Sequence, residues 1–200
     1  MKKIITISRE FGSGGRTIGK LLAEKLGYKF YDSEIVDKIS KECGYHKDFV
    51  DEHSEVATSS NTMLFSLSRS GNSIHNSIYD EIYIAQRKVI LDIYNNENAV
   101  IVGRCADYIL KDYANVANIF ITAPMPEKVA RAVKYYGLDP QKAEKIIKKK
   151  NKKRRNYYMY YTNKEWGNAA SYDITINSKI GIDACVDALE TYVKNRFKLD

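Results

Sequence analysis

Apolar positions fall alternately into short β-branched runs and longer stretches of helical spacing. Ile4, Ile5 and Ile7, with Thr6 between them, lead to Ser8 and read as a strand buried on both faces. A glycine-rich turn follows, Phe11-Gly12-Ser13-Gly14-Gly15, and then Ile18, Leu21, Leu22 and Leu26 share one helical face until Gly27 stops it. Residues 28–31 predict a second strand ending at Asp32-Ser33, and helical patterns occupy 34–42 and 47–55. Over 57–77 Ser and Asn are frequent, and only Met63, Leu64, Phe65 and Leu67 can anchor a helix between loops. A long helix is predicted from Tyr79 to Tyr94, and an interior strand from Ala99 to Val102, stopped by Gly103. A short helix over 106–110, a strand over 116–121 and a helix over 126–136 follow, the last closed by Gly137. Asp139-Pro140 opens another helix, since proline is tolerated in a first turn. A strand over 173–176 and an amphipathic helix over 182–197 finish the pattern.

Strands thus alternate with helices five times, with no internal repeat. That order predicts a single α/β domain: a five-stranded parallel sheet covered on both faces and joined by right-handed crossovers. Ligands of such sheets sit at the carboxyl ends of the strands, here residues 8–15, 32–33, 103–104 and 122–124.

With 200 residues, 44% of them hydrophobic, the chain can bury a full core, which excludes a disordered or fibrous protein. The net charge of +7 is unevenly placed. From Lys142 to Arg155 nine basic side chains face one acid, Glu144, a local +8 that leaves the remainder near −1. That segment calls for an anionic partner. Cys43, Cys105 and Cys185 form no metal-binding spacing, and His46, His53 and His75 add none, so buried thiols in a reducing compartment are expected. The apolar run after Met1-Lys2-Lys3 ends at Ile7, too short for a signal-peptide core or a membrane span. A cytoplasmic protein without membrane partners is expected.

The glycine turn between a strand and a helix carries most of the chemistry. Small residues let backbone amides converge on an anion, and the helix N-terminus adds partial positive charge. Two registers of the phosphate-loop signature compete. In one, Gly15-Arg16-Thr17 takes the place of Gly-Lys-Thr, and Glu10 stands where the first glycine belongs. In the other, Gly14 to Lys20 matches literally but Leu21 replaces the hydroxyl residue. Helix phase selects the first, because Leu21 and Leu22 belong to the buried stripe with Ile18 and Leu26. Arg16 then supplies the cation and Thr17 a hydroxyl for Mg2+, although a planar guanidinium is not a compact ammonium.

Residues 4–17, Tyr31-Asp32-Ser33, and Val100-Ile101-Val102-Gly103-Arg104 followed by Ala106-Asp107 resemble the cytidylate kinase-like family, a branch of the nucleoside monophosphate kinases. The Lys/Arg helix and the Arg154-Arg155 pair fit the same scheme, and the likeness spans nearly the whole chain. The resemblance implies a three-layer α/β/α P-loop fold: a core over 1–32, 97–136 and 170–200, a helical acceptor-binding insertion over about 33–96, and a lid over about 137–169. It implies transfer of the ATP γ-phosphoryl group, with Mg2+, to a nucleoside monophosphate such as CMP. By that likeness Gly12, Ser13, Gly14, Gly15, Arg16 and Thr17 hold the donor phosphates. Asp32, Ser33 and Arg104 face the acceptor, with Asp107 in partial replacement of a missing acid. Arg154, Arg155 and Arg131 neutralise the transferring group. Phosphoryl transfer is mostly positioning and charge stabilisation, which is why several arginines recur in such sites.

The sequence departs from that pattern at Val102 and Cys105, where cytidylate kinases carry Asp. The acceptor therefore stays open between a CMP-like nucleotide and another small phosphorylated or hydroxylated molecule. A nucleotide-binding regulator without catalysis is the alternative. A nucleic-acid binder using residues 142–155, with Tyr157, Tyr158, Tyr160 and Tyr161 as stacking rings, ranks last because it leaves the glycine loop unexplained. Packing of those tyrosines against the core is the simpler expectation. Met63, Leu64, Phe65 and Leu67 would suit a homo-oligomer contact.

Overall fold

The structure is a computed structural model, and it describes residues 2–53 and 78–199. The helix expected around Met63 to Leu67, the end of the 47–55 helix and His75 lie outside the described residues.

The strands are β1 (Ile4–Arg9), β2 (Lys29–Tyr31), β3 (Ala99–Val102), β4 (Val116–Thr122) and β5 (Ile174–Asn177), in one parallel sheet of order β2-β3-β1-β4-β5. The helices are α1 (Gly15–Leu26), α2 (Glu34–Cys43), α3 (Lys47–His53), α4 (Ile78–Asn96), α5 (Ala106–Ile109), α6 (Met125–Tyr136), α7 (Pro140–Thr162) and α8 (Ile182–Phe197). The expected architecture is present, with ends shifted by a residue or two. The larger difference is α7, which continues through the tyrosines to Thr162.

Alternation along each strand explains the layers. Ile4, Ala99 and Ile101 point to a core shared with Ile35, Ile39, Ile82, Ile90 and Ile93 of α2 and α4. Ile5, Ile7, Val100 and Val102 point the other way, to Ile18 and Leu22 of α1 and to Cys185, Leu189 and Val193 of α8. The sheet is thus sealed on both faces, and each fully buried Ile or Leu contributes on the order of 1.5–3 kcal/mol.

A third apolar cluster closes the carboxyl end of the sheet. Phe120 packs against Trp166 and Tyr172, with Tyr157 and Tyr158 of α7 and Cys105 beside them. Tyr161 stacks on Tyr83 with ring centroids 4.0 Å apart. Of the four tyrosines considered as stacking rings, Tyr157 and Tyr158 are core residues and Tyr161 is half-buried, which leaves Tyr160 exposed. The buried face of α7 carries Ala143, Ile147, Asn151, Tyr157, Tyr158 and Thr162. That face fixes which cations turn toward the sheet.

Candidate active site

The turn after β1 leads straight into α1. Left-handed backbone is required at Gly12 (φ 83°) and Gly14 (φ 79°), so Glu10 takes the first position of the loop without needing glycine's freedom. Glu10 instead anchors the loop. Its Oε2 accepts from Thr122 Oγ1 at 2.7 Å and from the buried Lys128 Nζ at 2.9 Å. A Cβ at Gly12 would stand 2.8 Å from the Lys128 carbonyl oxygen, so the loop lies directly on α6. Ser13 Oγ donates to the Glu10 carbonyl at 2.9 Å. Because α1 begins at Gly15, the amides of Gly15, Arg16 and Thr17 lie in its first turn and have no intrahelical acceptor. Gly15 and Arg16 border a cavity of about 150 Å³ that Gly12, Gly14, Arg9, Asp32 and Arg154 also line.

That cavity adjoins a cleft of about 690 Å³ at the carboxyl ends of β1, β2 and β3. Arg9, Arg16, Asp32, Ser33, Asp51 and Arg104 form one wall, and Ile146, Lys149, Lys150, Lys153 and Arg154 of α7 the other. Arg16 Nε lies 2.8 Å from Asp32 Oδ2, and its Nη2 donates to Ser33 Oγ at 3.5 Å. The three residues expected on the donor and acceptor sides are therefore linked. Arg104 follows Gly103 in an unusual run: Gly103, Arg104 and Cys105 all have positive φ, at 78°, 59° and 52°. Two consecutive side-chain-bearing residues there cost about 1–2 kcal/mol each. The buried Gln86 holds the turn, its Nε2 donating 2.7 Å to the Arg104 carbonyl. The turn aims the Arg104 guanidinium at Asp51 Oδ1, 3.2 Å away.

Arg154 Nη1 donates to the Arg9 carbonyl at 3.0 Å, and the Phe11 amide donates to Asn151 Oδ1 at 2.7 Å. Lys150 Nζ sits 4.8 Å from the Phe11 ring centre, so α7 is stitched to the glycine loop along its length.

Of the expected residues, Gly12, Gly14 and Gly15 line the smaller cavity, Ser13 and Thr17 line neither of the two, and Arg155, Arg131 and Asp107 lie apart from both. Arg155 is exposed one helical step beyond the cleft. Arg131 stands on the far side of the loop, its Nη2 donating to Thr17 Oγ1 at 3.1 Å. Asp107 does not face an acceptor: it is buried, and its Oδ2 accepts from the Tyr158 hydroxyl at 2.8 Å. Burial pushes its carboxyl up to about 6, against the pull of that hydrogen bond. Its place three residues past Arg104 suggests the acceptor side, but the left-handed run at 103–105 precedes α5 and Asp107 is buried. Conversely, Arg9, Asp51 and Asn151 were not anticipated. The available signal for Arg9 was a charged residue closing an otherwise apolar strand.

Magnesium prefers oxygen ligands and keeps several waters. Thr17 Oγ1 is one such oxygen, held against Arg131, while the end of β3 offers Val102 in place of a carboxylate. No group of three His, Cys, Asp or Glu residues among the described residues could hold a metal ion. The described donor set suits an ion that arrives on phosphates.

A parallel sheet with a glycine loop between its first strand and first helix, beside a cationic cleft, is the layout of a P-loop kinase. Residues 4–180 match the cytidylate kinase-like family, and the chain belongs to it. It is 26% identical over 181 residues to a cytidylate kinase of Methanosarcina barkeri, covering 88% of this chain and 87% of that protein. A cytidylate kinase of Ignicoccus hospitalis is 23% identical over 190 residues, covering 94% and 96%. Among solved structures, an uncharacterised protein from Eubacterium ventriosum superposes with TM-score 0.75 at 30% identity, covering 98% of this chain and all of that one. Shikimate kinase from Bacteroides thetaiotaomicron superposes with TM-score 0.56 at 16% identity over 96% and 98%, a likeness of fold. The chain is thus a kinase-type phosphotransferase by family, and none of its described helices is long and apolar enough to cross a membrane.

Proposed function

We propose that the protein transfers the γ-phosphoryl group of ATP to a nucleoside monophosphate of the CMP type, or to a small acceptor of like charge. One observation carries this reading: the glycine loop opens into the same cleft on which Arg9, Arg16, Arg104 and Arg154 converge. The loop amides and the N-terminus of α1 would hold the donor's β- and γ-phosphates. Arg104, Asp32 and Ser33 would fix the acceptor, and α7, in the role of a lid, would bring Arg154 against the group in transit. Mg2+, carried in on the donor phosphates, would take Thr17 Oγ1 as a ligand and offset charge on the β- and γ-oxygens. The acceptor's nucleophilic oxygen would attack the γ-phosphorus in line as the bond to the β-bridging oxygen breaks, giving ADP and a phosphorylated acceptor.

A second reading rests on Val102, fully buried where cytidylate kinases carry an acid: the chain binds nucleotide without turnover. One assay separates the two. The protein is incubated with ATP, Mg2+ and a panel of nucleoside monophosphates, and ADP release is followed. ADP formed in step with CMP or another member supports transfer. ATP binding with no turnover of any member supports the second reading, and no ATP binding removes both.

A further inference from the structure

Two arginines flank the glycine loop, Arg9 at the end of β1 and Arg16 in the first turn of α1, and the geometry points to Arg9, not Arg16, as the catalytic cation beside it. This rests on the phosphotransferase reading above. By position Arg16 replaces the usual lysine, but its side chain is an exposed one, tied to the acceptor side. Its side chain is 58% exposed, and Asp32 holds its Nε at 2.8 Å with Ser33 beside it. An exposed guanidinium acts through water, which screens its charge on a phosphate.

Arg9 is placed differently. Its side chain is only 13% exposed, and its Nη2 stands 4.0 Å from Asp32 Oδ1. Two glycines make its slot. A Cβ at Gly103 would lie 2.2 Å from Arg9 Nη1, and a Cβ at Gly15 would lie 2.5 Å from Arg9 Cβ. The guanidinium thus crosses from the end of β1 over the end of β3 and stops beside Asp32 at the end of β2. Arg9, Arg16, Asp32 and Arg154 all line both the loop cavity and the main cleft, and of the two loop-flanking arginines Arg9 is the one enclosed where donor and acceptor spaces meet.

Arg154 donates to the Arg9 carbonyl, which brings a second guanidinium to the same boundary. Two cations held together by the fold, in a part-buried place, stabilise charge that develops between them more than they stabilise either bound reactant. The step is the in-line transfer already described. Arg9 exchanges no proton and forms no bond, and it donates N–H bonds to the equatorial oxygens of the moving phosphoryl group.

The test uses the full chain and calorimetry with ATP and with ADP, each with Mg2+. The parent should bind ATP more tightly than ADP, and Arg9→Ala should remove most of that preference. Arg16→Ala should weaken both nucleotides by a similar factor and keep the preference. With whichever monophosphate the parent phosphorylates, Arg9→Ala should lower kcat by roughly 1,000-fold, in the range of other arginines acting on a transferring phosphoryl group. Arg16→Ala should act mainly on the acceptor's KM. Guanidinium ion at sub-denaturing concentration should restore part of the kcat of Arg9→Ala in a saturable way, which a purely structural role for Arg9 would not permit. Arg9→Lys, keeping a cation in the slot, should retain more kcat than Arg9→Ala at equal thermal stability. The inference is overturned if Arg16→Ala erases the ATP preference while Arg9→Ala keeps it, or if Arg9→Ala turns over within threefold of the parent. A parent that binds neither nucleotide would instead remove the phosphotransferase reading beneath it.

Discussion

The two walls of the cleft hold their cations by opposite means. On the sheet side, Arg9 and Arg104 emerge from buried backbone, and Gly103, Gln86 and Asp32 surround them. On the α7 side, Lys149, Lys150 and Lys153 lie along an exposed helical face, with no described acid in ion-pair range of any of them. Position on the first wall is fixed by strand ends and a strained turn. On the second it depends on where one long helix sits. The sheet wall is therefore suited to geometry, and the helical wall to attracting and screening anions.

The comparison is broken most severely by removing the α7 residue that is bonded across to the sheet wall. Arg154→Ala should lower kcat by about 100–1,000-fold, the usual worth of a preorganised donor to transition-state charge, with a smaller rise in the KM for ATP. Steady-state kinetics with a monophosphate accepted by the parent checks it, and an effect confined to KM would place Arg154 with the lysines.

Asp107 lies beneath the seam, bonded to Tyr158 of α7. Its folded value of about 6 is above the ordinary 3.8, so the native state holds the extra proton between those values and stability falls as pH rises through that window. The loss is complete above about pH 6 and amounts to about 3 kcal/mol. Urea unfolding at pH 4 and pH 7 should show it in the parent, and Asp107→Asn should flatten the difference. An equal pH dependence in both proteins would refute the assignment.

The tether between the walls is weaker. Asn151→Leu leaves the Phe11 amide without its acceptor and should cost about 1–2 kcal/mol in unfolding free energy. ATP affinity should fall with it, as the loop loses its stay on α7. The finest test contrasts neighbours on α7. Lys153→Ala, on the cleft face, should weaken ATP or acceptor binding several-fold and more so at low salt. Lys152→Ala, exposed and outside the cleft, should change stability by no more than about 0.5 kcal/mol and binding little.

The fold was legible because its signals are local and agree with one another: a β-branched run, a glycine turn, then an apolar stripe at Ile18 and Leu22. The P-loop kinase layout follows from that order, and the family match bears it out. The site was legible where short motifs carry it, as Arg16 follows the loop, Ser33 follows Asp32 and Arg104 follows Gly103, and where a dense basic run marks a helix, as at Arg154. What escaped depends on distant contacts. That Arg9 is enclosed follows from glycines 6 and 94 positions away, which no local pattern links to it. Asp107 was read as facing the acceptor because it shortly follows Arg104, whereas three successive left-handed residues reverse the chain and bury it. The tyrosines after Arg155 lacked a clear helical signature because their buried face is shared by Asn151 and Thr162, polar residues that pack inside.

The slot at Gly103 has an evolutionary consequence. A side chain there would push the Arg9 guanidinium aside, so lineages that keep the arginine in this place gain by keeping glycine at its neighbour. Descendants that lose the arginine are released from that pressure, and asparagine, which tolerates the same backbone twist, becomes an accessible replacement.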